Sequence, residues 1–398
     1  MIRFYTAFTR EIDNAQAAVQ EILEQLAPAE NALKNTIGII HFYYEFVETG
    51  VCRAMIDNLP FELVGCVSSY LAVNGDYGDI ALSVTMITSD DTSFSVRVLE
   101  GVDAKSREQI SDEITRLYQD MCAVEKPKLV MPFIPPLQNY GGDELVAAAN
   151  AQPDPFPMFG TISFHTEGSE GANFVIGCGK ISPVAFAFIA FYGNIEPSFQ
   201  VTSAFAFDDS YGGIAEITDS EGLTLKKINN INALRYLKDQ GMVTTDNAVA
   251  GSAVWAVPAI FTYANGIKLV RAFLGIVEGT EHIISTGTME VGTKIKFAYV
   301  DGEKTLKSAE NLFCGLSEAK RNNIISYSCA ARAWSLGTKF FAEAQKIAEC
   351  ADEYLEKHND TLNYSVAYSG GEICPVFDKT GKLVNALHNY TLIACSFS

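Results

Sequence analysis

Three times along the chain, a helix-length amphipathic stretch leads into a short apolar run, and a second helix leads to a second such run. That order constrains the fold more than any other feature. Alternating helical and strand periods demand layers, in which sheets are covered by helices. The first round has a strand at 2–8 and a helix N-capped by Asp13, with Ala15, Val19, Ile22 and Leu26 at helical spacing. A strand at 37–42, a helix at 48–59, a strand ending at Gly65 and a longer strand at 79–88 follow. The second round predicts a helix at 106–124, a strand at 128–134, a helix over 143–150, a strand ending at Gly160 and an apolar strand at 184–192. The third predicts a helix at 303–319, a strand at 324–330, a long helix at 334–357, a strand reaching Gly370 and a closing strand at 389–397.

The distance from first strand to glycine runs from 37 to 65, from 129 to 160 and from 324 to 370. Because it drifts, two explanations stand: an internal pseudo-repeat, or the alternation any α/β chain shows. Both give a mixed α/β (α+β) fold of layered mixed sheets flanked by helices, in two halves. The stretch 193–300 is different, with strand-like pieces, one helix at 230–240 and many glycines. A boundary belongs near the turn-rich segment at 208–222, dividing the chain into 1–220 and 221–398.

Charge narrows the function. Lys and Arg number 29 against 48 Asp and Glu, a formal net charge of −19. Such a surface repels phosphate backbones and anionic lipid, so neither nucleic acid nor membrane is an expected partner. Residues Val184 to Tyr192 form the longest apolar run, well short of the ~20 needed to cross a bilayer. Arg10, Glu11 and Asp13 interrupt the N-terminus too early for a secretory signal. Nine cysteines, an odd number at irregular spacing and without C-x-x-C, read as reduced, mostly core thiols in a cytoplasmic protein.

Several motifs tempt and fail. Gly141-Gly142-Asp143-Glu144-Leu145 approaches the GGDEF signature of diguanylate cyclases, but a helix starting at Asp143 replaces the hairpin that chemistry needs. Asp143 is then an N-cap and Glu144 a first-turn acid. Gly177-x-Gly179 lacks the third glycine of a dinucleotide fingerprint. Histidines at 41, 165, 282, 358 and 388 have no metal-ligand spacing.

Chemistry concentrates in the last third. Tyr327-Ser328-Cys329-Ala330-Ala331-Arg332 places a thiol at a strand–helix junction, where the helix dipole favours thiolate, with Arg332 able to clamp an acidic group. Tyr368-Ser369-Gly370-Gly371-Glu372 presents Tyr368 and Glu372 on a tight glycine turn. Leu387-His388-Asn389-Tyr390-Thr391 brings a His–Asn pair into the final strand. Each alone also reads as a core thiol, a hairpin turn and a packed histidine. A Cys329–His388–Asn389 hydrolase is the enzymatic alternative. Adjacent residues of a strand face opposite ways, however, so Asn389 is poorly placed to orient His388, and a non-enzyme is the expectation.

Taken together these segments resemble the FIST family, sensory proteins whose name joins F-box and intracellular signal transduction. The carriers are Ser328-Cys329-Ala330-Ala331-Arg332, Gly371-Glu372-Ile373 and His388-Asn389-Tyr390-Thr391, preceded by Leu269-Val270-Arg271. Val64-Gly65-Cys66-Val67-Ser68-Ser69 and Pro157-Met158-Phe159-Gly160 carry a weaker likeness in the N-terminal half. The resemblance implies a small-ligand sensor without a cofactor, its ligand an amino acid or derivative. Arg271 and Arg332 would hold an acidic group, and Tyr368, Glu372 and Asn389 the polar and amino groups, with Cys329 and His388 in the same site. Some members of the family look like haem-based nitric-oxide sensors, which would make His388 an axial ligand. The chain ends at Ser398, soon after Tyr390, so the expectation is signalling through a separate protein. The helix at 334–357 is the expected contact element, with Lys339, Glu343, Lys346, Glu349 and Glu353 on its solvated side.

Overall fold

A computed structural model describes residues 2–137, 140–165, 172–205, 211–243, 257–299, 301–319 and 321–397. Four sheets organise them, three of six strands and one of seven. The three six-stranded sheets share one plan. At the centre of each, two strands run parallel: Asn35–Phe42 with Glu62–Val67, Leu129–Ile134 with Gly160–Ile162, and Asn323–Cys329 with Asn363–Ser369. An antiparallel strand and then an edge strand flank the first of each pair, and a two-stranded hairpin flanks the second. The fold is therefore an internal three-part repeat.

Each hairpin is lent to a neighbour. Leu71–Gly78 of the first repeat joins the third sheet, through Leu71 opposite Ala367. Val175–Ser182 of the second joins the first sheet, through Val175 opposite Cys66. Gly371–His388 of the third joins the second sheet, through Glu372 opposite Thr161. Three corresponding backbone bonds close the cycle: Ser69 N–H to Tyr368 O, Phe164 N–H to Val67 O, and Gly370 N–H to Ile162 O. This exchange, invisible to local pattern, ties the N- and C-terminal halves into one body.

Alternation along the strands builds the layers. Inward residues of all three sheets, among them Ile39, Cys66, Met131, Ile189, Tyr327 and Ile393, share one central core. Outward residues pack under the helices of their own repeat: Ile40 and Val84 under Ala15–Leu26 and Val51–Asn58, Val130 and Phe188 under Arg107–Met121 and Gly142–Asn150, Ile324 and Val366 under Gly302–Glu318 and Ala342–His358. His41, Phe133 and Tyr327 stand at matching positions in the three first strands. Their rings meet at the centre, His41 lying 5.8 Å from Phe133 and 5.5 Å from Tyr327. Gly65 and Gly160 match as well. A Cβ on either would lie 1.7 Å from Ile40 O and 2.1 Å from Pro132 O, so only glycine lets these strands approach.

The seven-stranded sheet closes on itself through Tyr211–Glu221 and Thr224–Ile228, forming a barrel filled by Ile217, Leu225, Phe261, Phe273 and Phe297. It lies between Pro197–Ser203 and Gly302–Glu318, inserted into the third repeat after its edge strand. The boundary expected at 220/221 falls within Tyr211–Glu221, a barrel strand. Two local expectations need correction. The long helix at 334–357 is broken into Ala330–Ser335, Gly337–Lys339 and Ala342–His358, with Gly337 at φ +59°. Gly370-Gly371 makes no tight turn, since the chain leaves the third sheet at Ser369 and enters the second at Gly371.

Candidate functional site

In open α/β sheets, ligands favour the crevice beyond the carboxyl ends of parallel strands. Here the ends of the second and third repeats lie beneath the barrel, and the space between has two lobes. The smaller, about 130 Å³, is lined by Cys329, Ser369 and Asn389 from the body, with Trp334, Tyr390 and the barrel's Thr286 around them. The larger, about 510 Å³, is lined by the matching segments Pro135–Leu137 and Ser163–His165, by Asp143 and Glu144, and again by Thr286. Phe164, Thr286 and Gly370 line both lobes. The Phe164 ring meets Trp334 edge-on at 5.4 Å.

Of the expected site residues, Cys329 and Asn389 reach the cleft, with Gly370 beside them. Cys329 precedes the short helix Ala330–Ser335, but it is no thiolate: burial pushes its pKa well up, and the Glu372 carboxyl adds to this. The backbone N–H groups of Tyr390 and Ala331 pull weakly the other way. Glu372 lies fully buried behind the cleft wall, accepting from Ser369 Oγ and Thr391 Oγ1, both at 2.8 Å. Burial raises its pKa to about 8 against the pull of these two hydroxyls, so it is largely protonated at neutral pH.

Both arginines are engaged within the protein. Arg271, 2% exposed, leaves the barrel strand Lys268–Ile276 and ion-pairs with Asp143 at 2.8 Å. It also donates to Leu387 O (2.8 Å), to Asn389 Oδ1 (3.2 Å) and to Tyr263 Oη (3.4 Å). Asp143 is thus no N-cap. Gly141 caps that helix, and Asp143 further accepts from Thr288 N–H. Arg332 lies under the third repeat's helices, donating from Nε to Glu343 Oε1 at 2.9 Å, with Nη2 bonded to Glu343, Thr305 O and Ser308 Oγ. Glu343, expected on a solvated face, is fully buried as that ion's partner and accepts from Ser328 Oγ at 2.6 Å. Tyr368 faces the same helix layer, where burial and then the Glu343 charge raise its pKa.

His388 departs from both roles considered for it. Its Nε2 sits 3.0 Å from Cys374 O, and burial lowers its pKa to about 4. It lines a separate cleft of about 200 Å³ and not the Cys329 lobe, so no Cys–His–Asn triad is assembled. Pockets for drug-sized ligands hold ~300–1,000 Å³. An axial nitrogen held on a carbonyl beside so small a space does not fit haem. Among the described residues, no cluster of three or more His, Cys, Asp or Glu is arranged to hold a metal ion, and no helix is long and apolar enough to cross a membrane.

Sequence reasoning missed Ser163, Phe164, Trp334 and Thr286. Only the strand-end rule applied to the pseudo-repeat would have found the first two, because Ser163 matches Ser369.

Comparison with known proteins places a family on this geometry. The family model described as FIST N domain matches residues 38–231, and that described as FIST C domain matches 233–375. No curated protein matches the chain. The solved structure of PurLQS from Thermotoga maritima is 8% identical, covers 100% of this chain and 72% of that one, and gives a TM-score of 0.20, a likeness that carries no argument.

Proposed function

Because the chain belongs to the FIST family, whose domains are generally small-ligand sensory modules of signalling proteins, we propose that it binds a small metabolite other than a polyanion in the two-lobed cleft and reports occupancy to a separate partner. One observation carries this reading: the cleft lies between two bodies that the buried Arg271–Asp143 pair helps to join. Its floor is the strand ends at Cys329, Ser369 and Asn389, and its roof is the barrel at Ala272 and Thr286. A ligand there touches both, and so biases how they sit together. The negative field of the protein disfavours polyanions. Nine free cysteines, with Cys314 and Cys350 sulfurs 3.7 Å apart as thiols, accord with a reducing, cytoplasmic setting. A raised Cys329 pKa and the placement of His388 in a different cleft favour binding over thiol catalysis.

Thermal-shift screening with amino acids, their derivatives and related metabolites tests the reading. A ligand at a hundred times its Kd adds about 2.7 kcal/mol of stability, a readily measured rise in Tm. If no compound raises the Tm, or if those that do bind equally well after Gly370→Phe blocks the cleft, the reading fails.

A further inference from the structure

Ser68, Ser163 and Ser369 occupy one position in the three repeats, two residues beyond the matching Cys66, Thr161 and Ala367. Two of them are spent. Ser68 Oγ donates to the carbonyls of Tyr70 and Tyr368, at 2.8 and 2.9 Å, and Ser369 Oγ donates to Glu372. Ser163, 0% exposed and lining the larger lobe, has no partner for its hydroxyl. Asn173, which lines the same lobe, has a buried and unpartnered Oδ1. Buried polar groups left unmet cost about 1–3 kcal/mol each, and a native protein keeps them where something else completes them. Asn173 Oδ1 can only accept, and Ser163 Oγ can accept as well as donate, so a hydrogen-bond donor would meet both.

The charges around the cleft say what kind of donor. Among the described residues lining the two lobes there is no Lys or Arg. Arg271, just behind, is committed to Asp143, Leu387, Asn389 and Tyr263. Asp143 and Glu144 line the larger lobe as further acceptors, Asp143 paired with Arg271 and Glu144 with Arg107 at 3.6 Å, within a chain of net charge −19. A carboxylate would therefore be desolvated with no cation to meet it, whereas an ammonium would meet acceptors and a negative field. The smaller lobe is walled mostly by Phe164, Ala272, Ala331, Trp334 and Tyr390. At about 130 Å³ it approaches the ~150 Å³ apolar cavity that takes benzene.

Building on the cleft reading above, the geometry points to a compact apolar amine as the ligand class, in preference to an amino acid. A single ring or branched chain fills the Trp334 lobe, and the amino group faces Ser163 and Asn173 beside Asp143 and Glu144. No carboxylate is accommodated.

Calorimetric titration of the full chain with 2-phenylethylamine, phenylalanine, 3-phenylpropionate and 3-phenylpropanol separates the possibilities. The amine should bind about tenfold or more tighter than phenylalanine or 3-phenylpropionate, with the alcohol between. Ser163→Ala should weaken the amine about threefold to tenfold while leaving the Tm unchanged, because no internal bond is lost. Asn173→Ala provides a second arm with the same expectation for affinity. A carboxylate-bearing probe that binds as tightly as the amine overturns the ligand class and leaves the cleft reading standing. So does unchanged amine affinity in both variants. If none of the four probes binds, this inference falls, and the cleft reading falls with it only if the metabolite screen also finds no ligand.

Discussion

Glu372 stands where the first repeat has Leu71: each opens its hairpin opposite the matching residue of a second parallel strand, Thr161 for Glu372 and Ala367 for Leu71. The second repeat has Val175 at that place, and both Leu71 and Val175 belong to the central core. The third repeat has thus put a carboxyl into an apolar position, behind Cys329 and Ser369.

This position has a pH signature. Glu372 is raised to about 8 in the folded chain from an unfolded value near 4.5, so the native state holds the extra proton across that window. Stability contributed by the protonated form is present below the unfolded value and is lost as pH rises through about 8, with a slope reaching about 1.4 kcal/mol per pH unit. His41 and His388, lowered to about 4 from 6.5, act oppositely and lose stability as pH falls below 6.5. Maximal stability is therefore expected near pH 6.5. Urea unfolding at pH 6.5 and 8.5 should show a marked loss in the native protein and a much smaller one in Glu372→Gln. Equal losses would mean that Glu372 is not the titrating group.

The pair Arg332–Glu343 is buried at both ends, at 1% and 0% side-chain exposure. Removing one partner strands a charge in the third repeat's helix layer, which costs about 3–5 kcal/mol, whereas replacing both with apolar side chains can be nearly neutral. Glu343→Leu should lower the urea midpoint far more than the double variant Glu343→Leu with Arg332→Met. A double variant as unstable as the single one would contradict this.

Much of this architecture was legible because period and composition report layers. Strands such as Leu129–Ile134 and helices such as Arg107–Met121 lie close to where alternation and helical spacing put them. The returning order of elements pointed to a repeat without deciding it, and Gly370 is not the counterpart of Gly65 and Gly160, a place that Val366 takes in the third repeat. What could not be read was the exchange of hairpins, since Leu71 meeting Ala367 is a long-range pairing with no local signal. The roles of charged residues were opaque for a related reason. Asp143 has the sequence context of an ordinary helix start and Glu343 that of an exposed helix face, and only the fold supplies Arg271 and Arg332 to bury them. Cys329 and Asn389 were found because they sit at strand ends, where topology and motif coincide.

Cys329 should be a slow thiol. Its pKa is pushed well up by burial, whereas Cys122 and Cys178 are exposed. Iodoacetamide at pH 7.5 followed by peptide mass analysis should modify Cys122 and Cys178 first, with Cys329 lagging by an order of magnitude or more. Ligand that fills the smaller lobe should slow it further. Cys329 alkylating ahead of the exposed pair would reopen the thiol-enzyme reading.

The last prediction concerns how occupancy leaves the cleft. The helix at 334–357 was the expected messenger because it followed Arg332, but Arg332 is bound to Glu343 and does not line either lobe. Arg271 is better placed. It rises from the barrel strand Lys268–Ile276, and its side chain joins the helix Gly142–Asn150 through Asp143 and the final hairpin through Leu387 and Asn389. Asn389 and Ala272, its neighbours in space and sequence, line the smaller lobe. A ligand between barrel and body should therefore raise hydrogen-exchange protection in 268–276 and 142–150 together. Asp143→Asn keeps the carbonyl contacts of Arg271 but weakens the charge pair, so protection in the two segments should then change separately, at a cost below the 3–5 kcal/mol of an unpaired buried charge. If bound ligand instead protects 342–358 and leaves the barrel strand unchanged, the Arg271 junction is not the route, and the helix regains its claim.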